Sequence, residues 1–353
     1  MRLSDNGVRR ARAHAQLLGD RSGSTAGEVV AATVGIQSQD PAAAALSIRA
    51  RSRGLVEADI LAALSETREV VSTWSLRGTR HWHAAADVRW LLGLLGPVFN
   101  RPGRRAEQLG IAGPAGEQAV RLLRDALAGD GPLTRAQVKE RLAAHGVDPT
   151  GQAPVHVIRR AALEGVLCVV PAIDGKERYV LLDDWLPPAE PSPPGDAAAA
   201  ELLRRYLAAF GPATPADFGR WSGLGAPACR SAWAAVAGEL AEAHGRWVLQ
   251  EHAGRTAQDA GRAVPLRLLG GFDTLVLGYA DRSLLVPPDR AGDVNAGGGL
   301  IRPTVLSDGE VVGTWSAKTG IVRFRRFTAH ERAGVEREME DVARFLGDGP
   351  VVD

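Results

Sequence analysis

Two glutamines one residue apart, in the run Gln37-Ser38-Gln39-Asp40-Pro41, have the types and spacing to do chemistry. On an extended backbone, side chains two apart project from the same face. Each amide offers an accepting oxygen and an NH₂ with two donors. Such a pair could hold one water molecule between them. Asp40 is the carboxylate adjacent to the pair, and if it reached that water it would be the stronger base. A structural reading competes: the glutamines satisfy backbone groups in a turn, Pro41 opens the next helix and Asp40 caps it. For Asp40 the capping role is the preferred expectation.

The elements that must position this run are helical on both sides. Leu3 to Leu18, Thr25 to Val34, Ala42 to Arg53 and Glu57 to Ser65 carry apolar residues at three- and four-residue spacing. Ser24 or Thr25 is a fitting N-cap with Glu28 close behind. Glu69 to Thr73 and Leu76 to His83 then read as a short pair of strands, rich in Val, Trp and Thr. Helices followed by a small hairpin are the order of a winged helix.

That order recurs. Gly131-Pro132-Leu133-Thr134 opens a second unit, with Thr134 as N-cap of a helix from Arg135 to His145 and another helix near Ala153 to Glu164. Val166 to Val170 and Arg178 to Leu182 flank Ile173-Asp174-Gly175-Lys176, an Asp-Gly hairpin signal. Gly211-Pro212-Ala213-Thr214-Pro215 opens a third, with helices Ala216 to Ser222 and Ala226 to Glu242 and strands near Arg246 to Gln250. The matching openings suggest repeated supersecondary units, and the proline-dense run from Pro187 to Pro194 separates the second from the third. After Gly261, Leu266 to Leu269, Thr274 to Tyr279, Ser283 to Val286, Leu300 to Leu306, Glu310 to Ser316 and Gly320 to Phe327 read as strands of a small β module, closed by an amphipathic helix from Ala329 to Leu346. The expected class is α+β: three tandem winged-helix units over 1–115, 116–190 and 191–260, then a C-terminal β module and terminal helix over 261–353.

Composition narrows the classes. Apolar residues make up 45%, as in a globular chain. The opening MRLSDNGVRRARAHAQ has no apolar core of a secretory signal, and no window reads as a membrane span. Cys168 and Cys229 sit in apolar or helical contexts and read as buried thiols of a reduced, cytoplasmic protein. The eight histidines show no metal spacing; His81 and His83 flank Trp82 without an acidic or cysteine cluster to complete a site. No metal, cofactor or membrane is expected, and no required protein partner is evident. Net charge is only +1, which argues against a strongly basic nucleic-acid binder. Yet among the 42 basic residues only Lys139, Lys176 and Lys318 are lysines, and arginine suits bidentate phosphate contact. The many Ala and Gly residues point to GC-rich codon usage as the source of that bias. The clusters Arg101/Arg104/Arg105, Arg159/Arg160 and Arg323/Arg325/Arg326 stand as candidates for phosphate contact, with ordinary solvated faces as the alternative.

Five segments occur in a telling order: Gly35-Ile36-Gln37-Ser38-Gln39-Asp40-Pro41, Trp74-Ser75-Leu76-Arg77-Gly78-Thr79, Gly211-Pro212-Ala213-Thr214, the run Phe272 to Arg282, and Gly313-Thr314-Trp315. Together they resemble the winged-helix DNA glycosylases of the AlkZ type, the azinomycin self-resistance enzymes and their relatives, over nearly the whole chain. The resemblance implies tandem winged helices around a concave DNA-binding face. It also implies a monofunctional glycosylase that excises alkylated purines, N7-alkylguanine above all, and unhooks interstrand crosslinks. The family's catalytic Gln-x-Gln falls on Gln37 and Gln39; its middle position is often apolar, and Ser38 departs from that. Ser38, Asp40, Trp74, Arg77, Thr79 and His81 are the further candidates for DNA contact or for support of the site. Trp82 and Trp90 read as core. Asp273, Asp281 and Arg282 read as an internal Asp–Arg pair of the β module.

Glycosidic cleavage ordinarily uses a protonating acid and a carboxylate. An N7-alkylated guanine already carries positive charge and leaves as a neutral base, so it needs no acid. What remains is to place a water near C1′ and steady the sugar cation, which amide dipoles can do. The expectation is therefore a glycosylase for bulky, cationic N7-alkylated purines in double-stranded DNA, protecting a bacterium from a DNA-alkylating natural product. The principal alternative is a tandem winged-helix transcriptional regulator without chemistry, and a third is a housekeeping glycosylase for small methyl lesions. The glutamine pair discriminates, since a regulator has no use for two convergent amides.

Overall fold

Threonine capping boxes start the helices Ala26–Ala32, Arg135–Ala143, Pro215–Ser222 and Ala329–Leu346. In each, Thr25, Thr134, Thr214 or Thr328 accepts from the backbone three residues on, and Glu28, Gln137, Asp217 or Glu331 reaches back. Each box satisfies two of the N–H groups that a helix start leaves without a partner. The computed structural model describes residues 1–101, 103–148, 150–171, 176–188, 193, 195–316 and 318–347. Its chain forms two compact units, Met1–Ile60 with Ala199–Asp353, and Leu61–Ala198.

In the first unit, helices Asp5–Ala15, Ala26–Ala32 and Pro41–Arg49 come from the N-terminal stretch. Later in the chain, Pro215–Ser222 and Ala226–Ala235 precede the antiparallel hairpin Leu240–Ala243 with Arg246–Leu249. Ala213 closes this arrangement by exchanging backbone bonds of 2.8 and 3.0 Å with Trp247. A four-stranded antiparallel sheet follows, in the order Gly320–Arg323, Glu310–Ser316, Thr304–Ser307, Arg267–Leu269. Helix Ala329–Leu346 covers it, sharing a core of Leu266, Leu268, Val305, Val312, Trp315, Phe327 and Val342.

The second unit holds the hairpin Val70–Trp74 with Arg80–Ala84, helices Ala85–Phe99, Gly113–Asp130, Arg135–Ala143 and Ala153–Leu163, and the hairpin Leu167–Val170 with Arg178–Leu181. The two hairpins join at Ser72 opposite Val169, and Leu133–Thr134 adds beside Arg178–Leu181. Leu123, Leu127, Val138, Leu142, Val157 and Leu167, all at most 2% exposed, fill the core between helices and strands. Trp82 and Trp90 are buried, as their contexts suggested, and so are both cysteines.

The α+β order matches the expectation, with local corrections. The helix expected over Ala226 to Glu242 ends at Ala235, and Leu240–Ala243 is a strand turned by His244 and Gly245 at φ 54° and 71°. Paired positive φ values match the right-handed twist of a two-residue hairpin. Thr274–Leu277 is a short helix rather than a strand, because Asp273 accepts from the Leu275 N–H and starts it. A short apolar run cannot be assigned by periodicity alone. Ser283 to Val286 forms no strand, Leu300 to Leu306 contributes only its end, and Leu76–Gly78 is a 3₁₀ turn before the strand that begins at Arg80. Helices Ala85–Phe99, Gly113–Asp130, Gly195–Phe210 and Ala253–Gly261 were not anticipated. Ile173, Asp174 and Gly175 of the expected hairpin turn, and most of the stretch from Pro187 to Pro194, lie outside the described residues.

Candidate active site

The backbone leading to the glutamine pair is turned sharply. Helix Ala26–Ala32 ends with Thr33 as C-cap, whose hydroxyl donates to the Val29 carbonyl at 2.9 Å. Val34 and Gly35 then both take positive φ, 56° and 103°, and the Gly35 N–H returns to the Val30 carbonyl at 2.9 Å. A β-branched residue in that region is strained by about 1–3 kcal/mol and persists where its surroundings over-determine it. Val34 is 3% exposed. The chain leaves this corner as the extended pair Ile36–Gln37. Ile36 and Ser38 are buried while Gln37 is half-buried and Gln39 exposed, so the alternation expected of an extended segment is present.

Asp40 ends the segment as the N-cap of helix Pro41–Arg49. Its Oδ1 accepts from the Ala43 N–H at 3.2 Å, and Pro41 occupies the first helical position. This is the capping role preferred from sequence. The helix is rich in alanine, a strong helix former, and packs closely enough that a Cβ on Gly270 would lie 2.4 Å from the Ala43 carbonyl oxygen.

At its other end, two arginines fix the helix from within. Arg49, 1% exposed, donates to Asp341 at 2.7 Å, Glu338 at 3.1 Å and the Leu268 carbonyl at 2.5 Å. Arg51 is fully buried and makes a two-pronged contact with Asp273, each prong 2.8 Å. It also donates to Gln16 Oε1 at 3.0 Å, Thr274 Oγ1 at 2.9 Å and the Ser47 carbonyl at 2.9 Å. Ser47 Oγ completes the Asp273 shell at 2.7 Å. Burial pushes the Asp273 carboxyl up, but the Arg51 charge and the hydrogen bonds from Arg51, Ser47 and the Leu275 N–H outweigh it and hold the group below its usual value. The Asp–Arg pair expected within the β module is thus corrected: Asp273 pairs with Arg51 of the N-terminal stretch, while Asp281 accepts from the Ser283 N–H and hydroxyl at 2.8 and 2.9 Å. Sequence gave no sign of Arg49, Arg51, Ser47 or Gln16, whose partners lie hundreds of residues away or are ordinary polar side chains.

The other candidates belong to the second unit, around one hairpin. Trp74 is half-buried against the core of that unit. Arg77, at φ 55°, and Gly78, at φ 66°, make the turn, and the Thr79 hydroxyl donates to the Leu76 carbonyl at 3.1 Å. His81 is buried, with Nδ1 3.0 Å from the Thr79 carbonyl. Burial first, then the charges of Arg77 and His83, push it well below the usual histidine range, so it is neutral at physiological pH. Burial likewise lowers His83 to about 4, and its Nε2 lies 2.6 Å from Ser75 Oγ. Neither ring is held in its charged form near neutral pH. Among the described residues no group of three or more His, Cys, Asp or Glu is arranged to hold a metal ion, and no helix is long and apolar enough to cross a membrane.

Comparison with known proteins bears on this geometry. The family model described as DNA glycosylase AlkZ-like matches residues 30–345, a span that includes the glutamine pair and the Asp273 and Glu338 clusters. A curated interstrand DNA cross-link repair glycosylase from Streptomyces sahachiroi is 30% identical over 94% of each chain. The solved structure of the Streptomyces sahachiroi DNA glycosylase AlkZ is similar with a TM-score of 0.86 and 27% identity, covering 98% of both chains. Agreement of family model, curated relative and solved fold along nearly the whole sequence means that this chain belongs to the AlkZ-like DNA glycosylase family.

Proposed function

We propose that this glycosylase hydrolyses the N-glycosidic bond of bulky, cationic N7-alkylated purines in duplex DNA, with Gln37 and Gln39 as its catalytic residues. The observation that carries the reading is the placement of Asp40. Its carboxylate caps the following helix, which favours the glutamine amides over Asp40 as the groups of this segment that would act on a water. A cationic purine leaves neutral, so the work left to the protein is orientation of that water and dipolar stabilisation of the sugar cation. Positioning alone is worth several kcal/mol, up to about 7–11. The amides cannot protonate a poor leaving group, which confines the activity to activated lesions. The relative named for interstrand cross-link repair supports extending the substrate range to crosslinks, and self-resistance to a DNA-alkylating natural product is the role this range fits. Three winged-helix units, 1–115, 116–190 and 191–260, and a C-terminal β module and helix, 261–353, form the frame that would present the pair to DNA. Ser38, Trp74, Arg77, Thr79 and His81 support the site or the DNA contact, and no cofactor is required.

The test is single-turnover incubation with a duplex containing one N7-methylguanine, scored by alkaline cleavage at the abasic site. Gln37→Ala and Gln39→Ala should each slow release by ~10²-fold or more, as for loss of a preorganised group that stabilises a transition state. Release at the wild-type rate by both variants would remove the assignment.

A further inference from the structure

Two of the arginine clusters that stand fifty residues apart in sequence meet in the second unit. A cavity of about 160 Å³ is lined by Arg101 and Arg105 from one stretch and by His156, Arg159 and Arg160 from helix Ala153–Leu163. Among the described residues, only Arg160 of these has carboxylate partners, Glu164 at 2.8 Å and Glu117 at 4.0 Å. Arg105 donates to the neutral amides of Gln152 at 2.7 Å and Gln108 at 3.3 Å. Arg159 donates to two carbonyls, those of Gly78 and Phe99, both at 3.2 Å. Neither Arg101 nor Arg105 has an acidic partner among the described residues, so the cavity holds more positive charge than its own carboxylates neutralise.

The surroundings are shaped around these guanidinium groups. A Cβ on Gly78 would stand 2.3 Å from Arg159 Nη2, and one on Gly116 would stand 2.3 Å from Arg160 Nη1. Both guanidinium groups lie in the space that a glycine beside each leaves open. Burial first, then the charges of Arg159 and Arg105, lowers His156, and burial lowers Arg159. The His156 shift expresses nearby positive charge as well as burial, and the Arg159 shift expresses burial. Ala112, which lines the cavity, is the N-cap of the 18-residue helix Gly113–Asp130 and provides no side-chain cap, so the positive end of that helix dipole lies beside the cavity. Planar guanidinium forks and helix N–H groups are the donors that phosphate oxygens accept from.

We propose that this cavity binds an internal phosphodiester of the DNA duplex, which anchors the second unit on the substrate. The inference rests on DNA being the substrate. Arg101 and Arg105 are exposed, so their replacement leaves the core intact, whereas Arg159 is tied to the backbone and is left alone in the test. Binding of an undamaged duplex with 5′-hydroxyl ends, so that no terminal phosphate is present, is measured by fluorescence anisotropy over a range of salt concentrations. The proteins are wild type, the double variant Arg101→Ala/Arg105→Ala, the single variant Arg105→Glu, and Arg124→Ala as an exposed arginine outside the cavity. Loss of charged hydrogen bonds to one phosphate should weaken binding roughly tenfold and make the log–log salt slope shallower by about 1 in the double variant and in Arg105→Glu, but not in Arg124→Ala. Unchanged affinity and slope in both cavity variants, or an equal loss in Arg124→Ala, would overturn the proposal. The glycosylase reading is judged separately: a wild type that binds through this cavity yet releases no N7-methylguanine defeats that reading alone. A wild type that excises while the cavity variants bind normally defeats this one alone.

Discussion

Asp273→Asn removes one charge from the interior and almost nothing else, which makes it the sharpest probe of how the glutamine segment is held. The amide keeps the shape of the side chain and an oxygen able to accept from the Leu275 N–H at the start of helix Thr274–Leu277. Arg51 keeps its contacts to Gln16, Thr274 and the Ser47 carbonyl, but its charge stays in a fully buried position without a counter-ion. Removing one partner of a buried pair costs about 3–5 kcal/mol. The three neutral acceptors place the expected loss at the lower end, about 3 kcal/mol. For a unit of this size that is a fall in melting temperature of about 6–12 °C. Thermal unfolding followed by circular dichroism at neutral pH measures it. The pH profile supplies a second reading. Because the folded-state pKa of Asp273 is below the unfolded one, its stabilisation is complete above about pH 4, the unfolded value. It is lost as the pH falls below that value towards the folded one, and Asp273→Asn should flatten this acid limb. Arg51→Met with Asp273→Leu should recover most of the loss, since apolar replacement of a buried pair is often neutral. A loss under about 1 kcal/mol for Asp273→Asn, with an unchanged acid limb, would refute the idea that this pair fixes the segment.

Asp40→Ser keeps a side-chain cap on helix Pro41–Arg49 and removes the carboxylate. Excision of N7-methylguanine should stay within a few-fold of wild type, and a fall comparable with that of Gln39→Ala would show that Asp40 is the base. In a panel of duplexes, N7-methylguanine, a bulky N7 adduct and an N7-linked crosslink should all be processed and hypoxanthine should not; efficient hypoxanthine release would contradict the charge argument. Excess EDTA should leave the excision rate unchanged, and loss of activity restored by one added metal ion would reveal a site that the present geometry lacks.

Local chemistry was readable from sequence where a few neighbouring residues settle the outcome. The capping boxes at Thr25, Thr134 and Thr214, Pro41 behind Asp40 and the long final helix all depend on contacts within one turn. Reading failed where competing signals were equally local. Thr274 to Tyr279 has the β-rich composition of a strand, yet Asp273 is a helix cap. The short Leu240–Ala243 was absorbed into the helix before it. Nothing in the sequence showed what holds the candidate site in place. Arg51 and Asp273 are 222 residues apart, and Arg49 and Asp341 are 292 apart. Their pairing is a property of tertiary packing, and single arginines in an arginine-rich chain carry no mark of it. The same holds for the convergence of Arg101 and Arg105 with Arg159 and Arg160.

Those separations have a consequence for the birth of the protein. The segment carrying Gln37 and Gln39 is made well before the carboxylates that grip the helix after it, Asp273, Glu338 and Asp341. At about 5–20 residues per second, the 292 residues between Arg49 and Asp341 take about 15–60 s to synthesise. Arg51 has no counter-ion from this network until Asp273 has been made, 222 residues later, and Arg49 has none until Glu338 follows, 289 residues after it. On the proposed catalytic reading, a ribosome-bound fragment carries the glutamines before the residues that hold their helix have been made. Base removal is a hazardous activity to release half-built. On that reading, the order of residues along the chain puts the last clamp of the site 292 residues behind the arginine it holds.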